Sequence, residues 1–326
     1  TRAATSRAPA RPAKPAPAAP ITGQDLLTLT TLSRAQVLSI LATADALKAD
    51  RTLHTDALKG RAVVLLFEKP SLRTRLSFEV GIARLGGHAI YMDHAAQRLG
   101  ERESIADYGR NLERWLDAIV ARVFKHETIA ELAAASRAPV INGLCNRYHP
   151  CQALADLLTL RQHRGTLDGA RLAYIGDGNN VCHSLMHCCA MLGVDVTVIT
   201  PEGHEPAEDV VAETLALARD SGSRVLLTHD PDAVEDHDAV YTDVWVSMGQ
   251  ADEAGKRMKT FQAYQVNSRL MDIAGHDALF MHCLPARRGV EVTDDVIDSP
   301  ASVVYHQAEN RMHAQNALLV HLFAGA

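Results

Sequence analysis

Residues 61–87, RAVVLLFEKPSLRTRLSFEVGIARLGG, contain a strand, a loop and a helix in succession. The run RAVVLLF is apolar after its first residue, which is typical of a strand buried in a parallel sheet. The run SLRTRLSFEVGIARLGG predicts a loop, a helix and a glycine stop. Ser71, Arg73 and Arg75 therefore lie where a buried strand passes into a helix N-terminus.

The same alternation of strand and helix continues on both sides of this unit. Apolar strand-like runs occur at 89–92, 118–124, 139–143, 171–178, 195–201, 224–230, 239–245 and 278–285, with helical patterns between them. This order predicts an α/β fold of two doubly wound parallel-sheet domains joined by long helices. We expect a first domain at 21–155, a second at 156–307, and a C-terminal helix at 308–326 that packs back on the first domain.

Composition is that of an ordinary globular enzyme. The 326 residues carry a net charge of −6 and are 47% hydrophobic, which disfavours a general nucleic-acid binder. No apolar run reaches 18 residues, so no membrane span is expected. The six cysteines form no CxxC pair and are typical of reduced thiols in a cytosol-like compartment. Residues 1–20, rich in Ala and Pro, indicate a solvated extension or, alternatively, an organelle transit peptide.

The loop SLRTR has the properties of an anion site. A helix N-terminus offers unpaired amides and the positive end of the helix dipole, to which Ser71, Arg73 and Thr74 add donors. The alternative is a solvated basic turn. For Arg75 we favour a structural ion pair with Glu79, one helical turn further on.

Polar residues also occur at the ends of two other first-half strands. Arg122 lies in an apolar strand run and therefore needs an anionic partner, either an internal carboxylate or the same anion. His149 and Gln152, in HPCQ, open a long helix after a strand, where α/β proteins place ligands. A lone histidine is more often structural, so this motif is weak by itself.

The second half carries three further motifs. GDGNN at 176–180 lacks the third glycine of a dinucleotide fingerprint because Val181 stands there, which makes nicotinamide binding improbable. Asn179 and Asn180 can cap the following helix or bind a ligand carboxylate. In DVWVSMGQ, Asp243 is a candidate partner for an ammonium group, and Ser247 and Met248 open a loop able to close over a ligand.

MHCLP places Cys283 at another strand end, where a small buried thiol is the default interpretation. Neighbouring His282 suggests nucleophilic chemistry, but no third residue completes a triad. The histidines and cysteines of residues 183–189 lie on one helix without an acidic ligand, so a metal site there is disfavoured.

Together FEKPSLRTRLSFE, ARVF, HPCQ, GDGNN, DVWVSMGQ, MHCLP and AENRMHAQ resemble the ornithine carbamoyltransferases, from about residue 25 to the C-terminus. The resemblance implies carbamoyl phosphate bound by the first domain, L-ornithine by the second, and no metal or organic cofactor. It also implies a homotrimer with sites at subunit boundaries, in which one subunit's loop can reach its neighbour's site. Positions matching the carbamoyl phosphate site are Ser71, Leu72, Arg73, Thr74, Arg122, His149, Gln152 and Arg311. Positions matching the ornithine site are Asn180, Asp243, Ser247, Met248, Cys283 and Leu284. Catalysis is assigned by the same resemblance to Arg73, Arg122, His149, Asp243 and Cys283.

One position departs from the family pattern. Leu72 stands where the family usually has Thr. A Leu at this position is also familiar from transferases acting on N-acylated ornithine and from some ornithine enzymes. The intact DVWVSMG and the cysteine of HCLP favour ornithine over N-acylornithine, putrescine or aspartate as acceptor. The expected role is citrulline formation in cytoplasmic arginine biosynthesis; a catabolic role, an organelle location and a non-catalytic anion-binding protein are the alternatives.

Overall fold

The computed structural model describes residues 20–246, 252 and 254–323. This part of the chain forms two parallel β-sheets with helices packed around them. The predicted α/β class, with two doubly wound parallel sheets, is confirmed. None of the described helices is both long and apolar enough to cross a membrane.

The first sheet has the strand order β2-β1-β3-β4. Its strands are β1 (Ala62–Phe67), β2 (His88–Asp93), β3 (Ala118–Arg122) and β4 (Val140–Leu144), and its flanking helices are α1 (Arg34–Ala49), α2 (Leu72–Arg84), α3 (Ile105–Leu112) and α4 (His126–Ala135). Along β1, Val63 and Leu65 join one core cluster, and Val64 and Leu66 join another. Both faces of this strand are therefore buried, which explains its continuously apolar sequence.

The second sheet has the order β7-β6-β5-β8-β9. Its strands are β5 (Arg171–Ile175), β6 (Asp195–Ile199), β7 (Val225–Thr228), β8 (Ala239–Thr242) and β9 (Leu279–His282), and its helices are α6 (Asn180–Leu192), α7 (Glu208–Ser221), α8 (Ala254–Phe261), α9 (Ser268–Ala274) and α10 (Asp294–Ile297). Leu172 and Ala173 again face opposite cores. The sequence pattern predicted neither α8 nor α9, because two-turn helices contain too few apolar repeats.

Two long helices connect the halves: α5 (Pro150–Arg164) and α11 (Val304–Phe323). Helix α11 packs on α1, α2 and α5 and also contacts β9. It begins four residues before the predicted start, because Val304 is buried in the core of the second sheet while Leu318 is buried beside the first. This helix thus contributes to the cores of both halves.

Each sheet reverses its winding between two central strands, β1 and β3 in the first and β5 and β8 in the second. Ligands of open α/β sheets bind in the crevice beyond the carboxyl ends of such strands. Phe67 and Arg122 are in register across β1 and β3, so the first of these crevices opens beside the start of α2.

Candidate active site

A cleft of about 730 Å³ lies between the carboxyl ends of the two sheets. The predicted site residues that line it are Ser71, Leu72, Arg73, Arg122, His149, Asn180, Asp243, Cys283, Leu284 and Arg311. Thr74 and Gln152 contact lining groups from behind. Ser247 and Met248 lie outside the described residues. The fold therefore brings together side chains that are as much as 240 positions apart in the sequence.

The first-half wall of the cleft is the N-terminus of α2. Ser71 is the N-cap, in extended backbone, and its hydroxyl oxygen accepts the Thr74 amide at 3.3 Å. The amides of Leu72 and Arg73 have no acceptor within the helix. The cap thus fixes the first turn so that two free N–H groups and the dipole face the cleft.

Leu72 lines the cleft, and 70% of its surface is exposed. It forms an outer apolar row on α2 with Leu76 and Val80, one and two turns further on. The residue that departs from the family pattern therefore has its backbone amide in the first turn of α2 and a largely exposed side chain.

Three guanidinium groups converge near this helix end. Arg311 donates to the Thr74 hydroxyl at 2.7 Å, and Arg122 approaches the same oxygen at 3.5 Å. Neither Arg122 nor Arg311 has a partner for its Nε among the described residues, and no carboxylate there pairs with them or with Arg73. Of the two alternatives for Arg122, the internal ion pair is absent from the described part of the chain.

Burial and the neighbouring Arg311 charge lower the pKa of Arg122 from 12.5 to about 9. Burial also lowers the pKa of Arg311. Arg75, by contrast, pairs with Glu79 at 2.9 Å as predicted and lies over the Tyr91 ring. Arg122 and Arg311 thus form a buried cationic pair beside the half-buried Arg73, and an anion there would offset the cost of holding their charges.

His149 is the N-cap of α5, and its amide donates to the Ser184 hydroxyl at 2.7 Å. The ring is buried, and its Nδ1 has no hydrogen-bond partner among the described residues. Burial, together with the charges of Arg311 and Arg122, holds the pKa of His149 well below 6.5. The imidazole is therefore neutral and can donate one hydrogen bond into the site.

The second-half wall is formed by the ends of β5, β8 and β9. Asp243 follows β8 and is buried; it accepts from the Asn179 amide at 2.8 Å and from the Cys283 thiol at 3.1 Å. Burial and the Asp243 charge raise the pKa of Cys283 well above 9, so this residue is a thiol at neutral pH. Asn180 donates to the Cys145 carbonyl at 2.6 Å. Asn179, rather than Asn180, is the helix cap.

The backbone at Leu284 is unusual. Its φ is +58°, in the left-handed region, and its amide donates to His282 Nδ1 at 2.8 Å. The other ring nitrogen, Nε2, lies 3.3 Å from Glu291. Asp243, His282 and Cys283 bring ligand atoms within 4.8 Å of one another, but both nitrogens of this histidine are already engaged by protein groups. His282 therefore positions the loop rather than facing the cleft as a catalytic base.

Of the α6 histidines disfavoured as metal ligands from the sequence, His183 has structural hydrogen-bond partners. His183 lies 2.9 Å from the Arg147 carbonyl and accepts the Ala207 amide at 3.1 Å. Burial lowers the pKa of His187 to about 4. Among the described residues, Asp243, His282 and Cys283 form the only group of three potential metal ligands within 4.8 Å of one another.

Sequence reasoning missed an ion pair in the cleft wall. Arg257 on α8 lies 2.6 Å from Asp177, and its Nε donates to the Trp245 carbonyl at 2.6 Å. Asp177 is the acid of GDGNN, and the sequence interpretation of that motif gave this residue no role. Gly178 is required beside it, because a Cβ there would lie 2.3 Å from the Pro206 nitrogen.

Comparisons with known proteins agree along the chain. The family model described as the carbamoyl-P binding domain of aspartate/ornithine carbamoyltransferase matches residues 24–162, and the Asp/Orn binding domain of the same family matches residues 168–322. An ornithine carbamoyltransferase of Shewanella oneidensis is 53% identical over 91% of this chain and 99% of its own length. The anabolic ornithine carbamoyltransferase of Pyrococcus furiosus is 50% identical over 94% of this chain and 98% of its own.

Solved structures give the same result. The ornithine carbamoyltransferase structure from Pyrococcus furiosus superposes with a TM-score of 0.92 at 49% identity, covering 95% of this chain and all of that one. The structure from Thermus thermophilus superposes with a TM-score of 0.83 at 42% identity, covering 92% and 98%. The resemblance predicted from the motifs is confirmed, and the chain belongs to the aspartate/ornithine carbamoyltransferase family.

Proposed function

We propose that the protein is an ornithine carbamoyltransferase, which transfers the carbamoyl group of carbamoyl phosphate to the side-chain amine of L-ornithine and releases L-citrulline and phosphate. The observation that carries this proposal is the arrangement of charge in the cleft. Arg73, Arg122 and Arg311 lie on one side without a carboxylate partner among the described residues. On the other side a buried carboxylate, Asp243, holds the Cys283 thiol. One cleft thus suits an anion and an amine at once.

Carbamoyl phosphate would bind with its phosphate against the free amides of α2 and the Arg73 guanidinium. Bidentate guanidinium groups and helix N-termini are the usual phosphate ligands of proteins. The carbamoyl oxygen would then lie toward Arg122, His149 and the Thr74 hydroxyl. Gln152 holds Arg311 in place through a hydrogen bond of 3.1 Å, which keeps that guanidinium at the phosphate.

Ornithine would occupy the second-half wall. Asp243 is the buried carboxylate available to the α-ammonium group, and Asn180, at the start of α6, lines the same cleft. Cys283 and Leu284 would line the path of the side-chain amine. Ser247 and Met248, which match the family's ornithine-binding loop, complete the proposed set.

The reaction requires a neutral amine. The side-chain amine of ornithine resembles that of lysine, with a pKa of about 10.4 in water, and a closed, dry site favours its uncharged form. The nitrogen lone pair attacks the carbamoyl carbon, and Arg122, His149 and Thr74 stabilise the oxyanion that forms. The carbon–oxygen bond to phosphate then breaks. Phosphate leaves with the bonding electron pair and takes up the surplus proton of the attacking nitrogen.

The experiment is to measure product formation from carbamoyl phosphate with L-ornithine, N-acetylornithine, aspartate and putrescine in parallel. We expect citrulline from ornithine at a kcat/KM at least a hundredfold above that for the other amines. Preference for any of those amines would favour the second candidate, a carbamoyltransferase with another acceptor. Failure with all four would favour a non-catalytic anion-binding protein.

A matched pair of variants tests the anion site. Arg73→Ala should abolish turnover, whereas Arg75→Ala should not, because Arg75 is engaged by Glu79 and Tyr91. Assembly should be unchanged in Arg73→Ala. Full activity of Arg73→Ala would remove the proposed phosphate site.

We further propose a cytoplasmic homotrimer that serves arginine biosynthesis, with carbamoyl phosphate bound by residues 21–155 and 308–326 and ornithine by 156–307. All six cysteines are free thiols, as expected in a reducing compartment. The Pyrococcus furiosus relative is named as anabolic. Light scattering should give three chain masses, and expression should restore growth without arginine to a host lacking this enzyme.

A further inference from the structure

Asp156, on α5 beneath the cleft, is a buried acid that the proposed mechanism does not use. It has no exposed surface, and burial raises its pKa from 3.8 to about 7, against the hydrogen bonds from Gln152 and Gln307 and the nearby Tyr241 hydroxyl, which lower it. A buried carboxyl group is costly unless it is hydrogen-bonded, so its partners indicate what it does.

Two side-chain amides donate to the same oxygen of this carboxyl group. Gln152 Nε2 lies 2.8 Å and Gln307 Nε2 lies 2.7 Å from Asp156 Oδ1. The other oxygen, Oδ2, has no donor in hydrogen-bonding geometry among the described residues, although the Tyr241 hydroxyl interacts with the group from β8. A carboxylate accepts only, so both glutamines must turn their NH₂ groups toward it.

The two amide oxygens consequently point away from Asp156, in opposite directions. Gln152 Oε1 accepts from Arg311 at 3.1 Å, and Arg311 in turn donates to Thr74 at the phosphate end of the cleft. Gln307 Oε1 accepts the His282 backbone amide at 3.0 Å, at the end of β9 and one residue before Cys283. A flip of either glutamine would place a donor against a donor in a buried site.

We propose that Asp156 is a positioning residue, which fixes the amide orientation of Gln152 and Gln307 and thereby aligns Arg311 with the carboxyl end of β9. The carboxyl group is the point at which α5, α11 and the second sheet meet. It links the anion side of the cleft to the amine side through two hydrogen-bonded arms. The inference rests on the proposed function, since Arg311 and Cys283 receive their roles there.

The hydrogen bonds from Asp156 through Gln152 to Arg311, here called the Gln152 arm, are tested by the binding of inorganic phosphate. Calorimetry on the purified assembly without an amine measures this binding. Asp156→Leu keeps the branched shape and removes both acceptor oxygens; we expect its phosphate Kd to rise at least tenfold. Asp156→Asn keeps an oxygen in place and should stay within threefold of wild type. Thr159→Val is the matched control, because it removes the Asn310–Thr159 bond of 2.8 Å between the same two helices. It should leave the phosphate Kd within twofold.

The Gln307 arm is tested separately and does not require Asp156→Leu to fold. Gln307→Leu should raise the KM for ornithine at least fivefold while the phosphate Kd stays within threefold. A purely structural role would lower thermal stability in these variants without this split. An unchanged phosphate Kd in folded Asp156→Leu, a tenfold loss in Asp156→Asn, or an unchanged ornithine KM in Gln307→Leu would each overturn the inference. A wild-type enzyme that binds phosphate but makes no citrulline would instead contradict the proposed function.

Discussion

Replacement of Arg122 by methionine should raise the unfolding free energy of the unliganded protein and abolish its catalytic activity. The pKa of this guanidinium falls from 12.5 to about 9 because the group is buried beside Arg311. At about 1.4 kcal/mol per tenfold change in the ionisation constant, the charge costs up to about 5 kcal/mol. Because the folded pKa is below the unfolded one, this cost is present in full below pH 9 and disappears only as the pH rises toward 12.5.

Methionine retains part of the apolar stem and removes the charge. The weak 3.5 Å contact with Thr74 is lost, which offsets about 1 kcal/mol of the gain. We therefore expect the unfolding free energy of Arg122→Met to exceed that of wild type by about 1–4 kcal/mol at pH 7.5. Urea unfolding at equal protein concentration measures this difference, with the fluorescence of Trp115 and Trp245 as the signal.

Added phosphate should narrow the difference in stability between Arg122→Met and wild type. At a hundred times its Kd, a ligand of the native state adds about 2.7 kcal/mol, and part of this gain should be absent in Arg122→Met because the cationic cluster loses one charge. Arg75→Met is the control: its guanidinium pairs with Glu79, so it should be no more stable than wild type and should still respond to phosphate. The reasoning is refuted if Arg122→Met is less stable than wild type without ligand, or if phosphate stabilises both proteins equally.

Three further predictions concern single contacts. Leu72→Thr should change the KM for carbamoyl phosphate less than threefold in steady-state assays, because the Leu72 side chain is 70% exposed; a tenfold change would show that this side chain contributes to binding. Asp156→Asn should be more stable than wild type above pH 7, by at most about 4 kcal/mol, and as stable as wild type near pH 4. The reason is that burial raises the pKa of Asp156 to about 7, so its ionisation costs stability only as the pH rises. Denaturation measured across pH checks this, and a difference that stays constant with pH would contradict it. Arg257→Met should cost about 3–5 kcal/mol by removing the guanidinium partner of the buried Asp177, and adding Asp177→Asn should recover more than half in a double-mutant cycle.

The sequence predicted the central strands because a strand that is buried on both faces has an uninterrupted run of apolar residues. In β1 every position from Val63 to Phe67 is buried, so apolar residues run without interruption. The α2 cap could also be predicted from the sequence, because Ser71 directly precedes the helix that it caps. Arg75 and Glu79 pair because they are one helical turn apart, which is again a local relation.

The sequence predicted the arrangement of residues in the cleft only in part. The resemblance named the residues, but it did not show that the Cys283 thiol donates to Asp243 or that Asn179 holds the same carboxylate. The Asp177–Arg257 pair was missed because its members are eighty positions apart and α8 is too short to give a clear periodicity. Contacts of this kind depend on strand order, which hydrophobic pattern does not specify.

The sequence alone therefore determined the alternation of strand and helix, the capped N-terminus of α2 and the family, because each depends on neighbouring residues or on motifs in order. The tertiary structure decided which charges remain unpaired, which groups are neutral and which hydrogen bonds join the two halves. Asp156 illustrates the difference: in the sequence it is one acid on a helix, whereas in the fold three elements enclose it and two glutamines donate to it. Burial sets its pKa and its role, and burial is a property of the packed chain rather than of any segment.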